Sequence, residues 1–387
     1  MRDPCGPGDG SLLLAAIETH HPDPFRAISR DVLRRQAAAV DALDAHDRSV
    51  LTVELMRTLA LLGPRNGHTA IHPVDDHPTT SSTYPLRLYE FDDGMFVIAA
   101  ERGDLVGAEL LAVGGAHLND VLAAVTPLIA HDNDWTICAR RPAFVVDATV
   151  LRGLDLGDPE GRATFRLRSP TGSVVSVALD AIATRDYGAR VAGGDRVPHR
   201  PQAAYLRRRD ERHWVEPTAC GRAVHVGYNV TRGDLTEFVG EVEALAAAPS
   251  IEGVVLDLRL NGGGDNRTYG PLLGSLQRLG HDKRIAVLTS RTTFSAAMQL
   301  VVDLERRTSA SFVGEPTGGS PNHYGDATLV GLPNSGLNAH VATMTWMTAG
   351  EDDERLTSEP DILVPHESTA FFAGDDPTLD AALATLC

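Results

Sequence analysis

The chain has 387 residues, enough for two or three domains and a sizeable buried core. Hydrophobic residues make up 43% and charged residues 22%, an ordinary globular balance that excludes a disordered or collagen-like chain. The net charge of -17 repels phosphate backbones and argues against nucleic acid as a partner, while favouring solubility.

The longest uninterrupted apolar runs, Leu12 to Ile17 among them, are far short of the roughly 20 residues that span a bilayer, so no membrane association is expected. The opening Met1-Arg2-Asp3-Pro4-Cys5-Gly6-Pro7 is not a signal-peptide start and predicts a cytoplasmic protein. Cys5, Cys138, Cys220 and Cys387 lie far apart and form no CxxC, which suits a reducing compartment. No metal cluster, nucleotide fingerprint or haem motif is present, so neither metal nor cofactor is expected. The chain contains a single lysine, Lys283, and every other basic side chain is arginine or histidine.

Residues 1–75 read as an N-terminal helical segment. Leu33, Ala37, Val40 and Leu43, then Leu51, Leu55, Met56, Leu59 and Leu62, recur at spacings of three and four and stop at Gly63-Pro64. A polar linker follows, at 76–85. Residues 76–183 as a whole form a β module with a helical insertion near 117–130. In it Leu86 to Phe91 alternates, Asp93-Gly94 signals a hairpin before Met95 to Ile98, and 164–168 and 173–179 flank Pro170-Thr171-Gly172. Residues 184–220 are a linker or mobile loop, rich at first in Arg, Gly and Pro, whose arginines read as a solvated surface. Residues 221–387 alternate strands and helices. Gly253 to Leu258, Arg284 to Thr289 and Ala310 to Val313 are the strands, and helices end near Gly280 and Arg307. Repeated strand–helix–strand units imply a parallel sheet with right-handed crossovers.

Four features carry chemistry. Ser295 lies at a strand-to-helix turn, where a hydroxyl faces the carboxyl edge of the sheet and the helix N-terminus favours an oxyanion. The plain alternative is a helix N-cap serine. Asn261-Gly262-Gly263-Gly264-Asp265 follows a strand, and its glycines let backbone N–H groups approach a ligand; the alternative is a tight turn. His68, in Asn66-Gly67-His68-Thr69, and His323, in a glycine-rich loop after the third strand, are rival general bases among fifteen histidines. Glu359 opens the last strand and is placed to orient a histidine, whereas Glu351 and Glu354 read as an exposed acidic loop.

In combination, Gly67-His68-Thr69, the β module, Asp257-Leu258-Arg259-Leu260-Asn261-Gly262-Gly263-Gly264, Phe294-Ser295-Ala296-Ala297, Val313-Gly314-Glu315-Pro316-Thr317-Gly318-Gly319 and Glu359-Pro360-Asp361-Ile362 resemble the tail-specific, or C-terminal processing, serine peptidases. The tricorn core peptidase and the interphotoreceptor retinoid-binding modules belong to the same group. The resemblance implies an α/β protein with a crotonase-like parallel-sheet catalytic domain, an N-terminal helical segment and a PDZ-like β module that receives peptide. It implies Ser295 as nucleophile, with oxyanion donors at a glycine-loop amide, Gly263 or Gly264, and at Ala296. Many members carry a lysine base where this chain has Ser320, and Lys283 precedes the second strand, so a Ser-Lys dyad is excluded. The tricorn-type branch instead takes a histidine at the position of His68, preceded by a serine where this chain has Gly67, and a glutamate whose counterpart is Glu359; His323 is the alternative base. The expected substrate is a peptide or small acyl compound, with oligomeric state left open. Two other readings stay open: an acyltransferase, cyclase or esterase on the same fold, and a non-catalytic binder of a small apolar ligand.

Overall fold

The computed structural model of the protein describes residues 7–43, 47–72, 81–192 and 203–386. Cys5, Cys387, residues 76–80 of the 76–85 linker and residues 193–202 of the arginine-rich stretch lie outside the described residues. The chain divides into two compact units. The first comprises residues 1–132, 137–199 and 324–345, and the second comprises 133–136, 200–323 and 346–387.

The first unit opens with helices α1 (Asp9–His20), α2 (Arg30–Asp41) and α3 (Arg48–Ala60). The predicted apolar stripes become their buried faces: Leu33, Ala37 and Val40 on α2, and Leu51, Leu55, Met56 and Leu59 on α3. Ser29 and Asp47 cap these two helices by accepting first-turn N–H groups, and the turn beyond the last of them closes with Gly63, φ +76°.

Strands β1 (Ser82–Thr83), β2 (Leu86–Phe91), β3 (Gly94–Ala100), β4 (Glu109–Val113) and β5 (Ala116–His117) follow. After them come helices α4 (Leu118–Val125), α5 (Asp134–Val146) and α6 (Ala148–Gly153), then strands β6 (Arg162–Arg168), β7 (Val174–Asp180) and β8 (Ile182–Ala183). An antiparallel sheet runs β2-β3-β4-β6-β7, with β5 beside β4. Both predicted hairpins are present, Phe91 opposite Gly94 and Arg168 opposite Val174. Burial alternates strictly along β6, as expected of a sheet with one wet face. The helical insertion reaches beyond the expected 117–130, because α6 is capped by the buried Asp147 and continues to Gly153.

Where a linker was expected, residues 184–192 form helix α7 (Thr184–Ala192). Its register fits the sheet: Tyr187 Oη donates to Leu86 O at 3.0 Å, and Arg190 binds Glu101 through Nε and Nη2 at 2.9 and 2.8 Å. Composition hid this helix, since tertiary context overrides weak local propensity.

In the second unit, helix α8 (Ala204–Arg207) and strand β9 (His213–Pro217) also occupy the expected linker. Arg208 pairs with Glu211 and Glu216 there, and stacks over the Trp214 ring. The remainder runs β10 (Ala223–Tyr228), α9 (Thr236–Ala246), β11 (Gly253–Asp257), α10 (Gly270–Leu279), β12 (Arg284–Thr289), α11 (Ala296–Arg307) and β13 (Ser311–Gly314). After β14 (Asn322–Gly325), the hairpin β15 (Thr328–Leu332) and β16 (Leu337–Val341) belongs to the first unit. Strands β17 (Met344–Met347) and β18 (Ile362–Leu363) and helices α12 (Ser368–Ala373) and α13 (Pro377–Leu386) complete the chain.

The sheet of the second unit has the order β18-β13-β12-β11-β10-β9, parallel except for the edge strand β9. Every residue of β10 and β11 is buried, the signature of a parallel sheet covered on both faces. Alternate side chains serve opposite layers. Val254, Leu256, Ile285 and Val287 pack with α9, α10 and α11, whereas Val255, Ala286 and Leu288 pack with α13. This three-layer core holds the carboxyl ends of β11 and β12 side by side, and from those ends the glycine loop and the serine turn project.

Candidate active site

The serine turn is built from hydroxyls. After β12, Ser290 Oγ donates to Arg259 O at 2.7 Å and Thr293 Oγ1 donates to Leu258 O at 3.0 Å. These bonds tie the turn to the end of β11. Phe294 N–H then donates to Asn261 O at 3.2 Å, and Gly319 N–H donates to Thr293 O at 3.0 Å. The turn is thereby held between the glycine loop and the loop after β13.

Ser295 itself is half-buried and stands at the N-terminus of α11 with φ +55° and ψ -126°. An N-cap serine adopts extended angles and accepts a first-turn N–H. Ser295 does neither: its angles lie in the region that favours glycine, and its side chain makes no cap bond. The N-cap alternative therefore does not describe it. Such a conformation costs about 1–3 kcal/mol and persists only where the surroundings impose it. Ser295 thus occupies a strand–turn–helix junction without the G-x-S-x-G sequence.

The glycine loop packs against this turn. Gly263 has φ +109°, and a Cβ there would lie 2.5 Å from Ser295 Cβ and 3.0 Å from Ala296 N. Gly264, φ +140°, lies against the backbone of Thr231. The fully buried Asn261 organises the loop: Nδ2 donates to Tyr228 O at 2.7 Å, and Oδ1 accepts the Gly263 N–H at 2.9 Å. Gly263 O in turn accepts Thr231 N–H at 2.9 Å. The Gly263 amide is thus engaged within its own loop.

Beneath the loop lies a buried ionic network. Arg259 binds Asp257 through Nε and Nη2 and Asp376 through Nη1 and Nη2, all at 2.6–3.0 Å, and lies 3.9 Å from the centre of the Tyr205 ring. His225 Nε2 meets Asp257 Oδ2 at 3.0 Å. Burial alone pushes the Asp257 carboxyl up, but Arg259 and the His225 hydrogen bond hold it well below the usual carboxylate range. A second buried pair, Arg291 with Glu315, anchors the start of the serine turn, with Trp135 5.5 Å from the guanidinium. The sequence pointed to Asp257, Arg259 and Glu315 only through their motifs.

The other expected residues fall as follows. His68 is half-buried in the first unit, within a loop whose flanking residues are buried. His323 is buried in the second unit, in β14, with Nδ1–H donating to Ser320 O at 3.0 Å. Glu359 is exposed, beside the buried Ser358 and three residues before the strand β18. Lys283 Nζ donates to Ile251 O at 2.5 Å, at the opposite end of β12 from Ser295. Among the described residues, no group of three or more His, Cys, Asp or Glu could hold a metal ion, and no helix is long and apolar enough to cross a membrane.

No family model matches the sequence. Solved structures do match the fold. The crystal structure of a serine-to-alanine mutant of CPAF is 14% identical, covers 98% of this chain and 96% of its own, and overlays with a TM-score of 0.67. The chain shares the fold of CPAF. Mature CPAF complexed with lactacystin gives the same picture, at 14% identity, 97% and 96% coverage and a TM-score of 0.65. The photosystem II D1 C-terminal processing protease is 15% identical over 95% of this chain and 98% of its own, with a TM-score of 0.43. The likeness to CPAF runs over nearly the whole of both chains, so helical segment, β module and parallel-sheet unit all have counterparts there.

Proposed function

We propose that the chain is a serine hydrolase of the peptidase type, cleaving a peptide or related acyl substrate through an acyl-enzyme on Ser295. The observation that carries this reading is the Ser295 backbone, strained at φ +55° and stripped of any capping role, at the mouth of a glycine loop. Strain of that kind collects at functional sites. The serine peptidases among the solved structures support it.

In the proposed reaction His68 takes the Ser295 hydroxyl proton as Oγ attacks the carbonyl carbon, and later gives it to the leaving amine. Water then adds to the acyl-enzyme and releases Ser295. The Ala296 N–H, at the start of α11, and the Gly264 N–H are the proposed oxyanion donors. Gly263 is set aside because its amide already donates to Asn261 Oδ1. Removing one such donor costs about 3 kcal/mol in the transition state. Glu359 is the proposed partner of the imidazole, and His323 the alternative base. The second unit is read as the crotonase-like catalytic part. The β2-β3-β4-β6-β7 sheet is read as a PDZ-like module that takes an extended peptide on its edge.

The test is covalent labelling with an alkyl fluorophosphonate, followed by peptide mapping. Label on Ser295, absent in Ser295→Ala and slowed in His68→Ala, is the expected result. The rate should fall on acidification as the imidazole protonates; a rate still climbing near pH 10, as a lysine base would give, contradicts the assignment. Label elsewhere, or none at all, favours a binder on the same fold.

A further inference from the structure

The His68 loop contains no regular secondary structure, yet its backbone is fastened at nearly every residue within the first unit. Arg65, φ +68°, donates its N–H to Asp132 O at 3.0 Å, and its carbonyl accepts Tyr324 N–H at 3.0 Å. Asn66 N–H donates to His131 O at 3.0 Å. The Asn66 side chain donates to Leu62 O and Pro64 O and accepts from His21 Nε2 at 2.6 Å. Ala70 and His340 exchange both of their backbone bonds, at 3.0 and 2.9 Å, and Thr69 Oγ1 accepts Ala342 N–H. Of residues 65–70 all are buried except His68. The loop presents one side chain.

The two peptide planes that flank Gly67 are gripped by charged side chains rather than by backbone. Gly67 N–H donates to Asp132 Oδ1 at 2.7 Å. Gly67 O accepts from Arg140 Nη1 at 2.9 Å, and the same nitrogen donates to Ala130 O at 2.7 Å. Asp132 is fully buried. Burial lowers the Arg140 pKa to about 10, with the Asp132 charge opposing the shift. Burying opposite charges is costly, and a turn alone does not require it. What the pair fixes is the backbone of Gly67, a residue with no Cβ to restrict it, and hence the direction in which the next Cα–Cβ bond leaves the loop.

We infer that Asp132 and Arg140 are positioning residues that aim the His68 imidazole, acting through the two peptide planes around Gly67. The inference rests on the reading of His68 as general base. A displacement of about 1 Å in a reacting group is worth on the order of 100-fold in rate.

The experiment measures the rate constant of Ser295 labelling by an alkyl fluorophosphonate, per folded molecule, in wild type, His68→Ala, Asp132→Ala, Asp132→Asn, Arg140→Met and Arg140→Lys. Folding is followed by circular dichroism and thermal melting. Asp132→Ala and Arg140→Met should each slow labelling at least about 10-fold without losing the fold. Asp132→Asn, which keeps an acceptor oxygen for the Gly67 amide, should recover most of that loss. If Asp132→Ala does not fold, Arg140→Met decides alone, with Arg140→Lys as its rescue. Wild-type rates in the Asp132 and Arg140 variants beside a slowed His68→Ala would overturn the positioning role and leave the base assignment standing. So would a loss that neither Asp132→Asn nor Arg140→Lys rescues. A wild-type rate in His68→Ala would overturn the base assignment and this inference together.

Discussion

Gly263→Ala puts the contact between the glycine loop and the serine turn to a quantitative test. The added Cβ meets Ser295 Cβ at 2.5 Å, Ala296 N at 3.0 Å and Phe294 O at 3.0 Å, and two of the three neighbours are backbone atoms that cannot swing aside. The left-handed φ of +109° adds a backbone penalty of about 1–3 kcal/mol for any residue with a Cβ. Overpacking a tight site adds about 1–3 kcal/mol more. The variant should therefore lose about 2–6 kcal/mol. In a cooperative unit of about 150–250 residues each kcal/mol is worth roughly 2–4 °C, so melting should fall by at least about 4 °C. Labelling of Ser295 should slow in parallel, because the clash relaxes by moving Ser295 or Ala296. Gly262→Ala is the control: a Cβ there meets nothing within 4 Å, and stability should stay within about 0.5 kcal/mol. Scanning calorimetry and labelling kinetics on the two variants decide it. If Gly263→Ala melts and labels like wild type, or if both glycines prove equally sensitive, the loop does not impose the serine conformation.

Two further outcomes follow from backbone and burial. Ser295→Gly should raise stability by about 1 kcal/mol in urea denaturation, because glycine relieves the positive φ and no capping bond is lost. A drop of a few tenths of a kcal/mol would instead mark an ordinary N-cap serine. Burial pushes the Asp147 carboxyl up to about 6, against the pull of the Val150 and Thr149 N–H groups it caps. A carboxyl raised on folding is penalised when ionised, so the penalty is absent below its unfolded value near 3.9 and grows as pH rises toward 6. A shift of about two units amounts to at most about 3 kcal/mol at pH 7. Asp147→Asn keeps an acceptor for the Val150 N–H and removes the charge. It should be the more stable protein at pH 7, with the advantage gone by about pH 4. An advantage of the same size at both pH values would show that burial of the charge is not its source.

The parallel sheet was legible because its pattern is written locally. Val254-Val255-Leu256 and Ile285-Ala286-Val287-Leu288 are continuous apolar runs bounded by turns, and alternate members go to opposite helical layers. The helix stripes of α2 and α3 and both hairpins of the β module were legible for the same reason. Helix α7 was not, since nothing in its own residues outweighs the surrounding Gly, Pro and Arg; its contacts with Leu86 and Glu101 lie about a hundred positions away. Asp132 and Arg140 were passed over for a like reason. They meet Gly67 across 65 and 73 residues.

Residue inventory left one lysine, Lys283, and strand order put Ser295 and the glycine loop at the ends of successive strands, while His68 was preferred over its rival His323 only through the resemblance to the tail-specific peptidases. The first two inferences need only inventory, period and strand order. Whether Ser295 makes a cap bond was decided by the fold, because the same hydroxyl at the same turn suits either role until the backbone takes φ +55° beside a Gly263 that leaves no room for a Cβ. Which glycine amide is already engaged was settled the same way, by Asn261 folding back on its own loop. Backbone angles and hydrogen-bond partners of that kind come from atoms brought together by the fold, and no stretch of chain carries them alone.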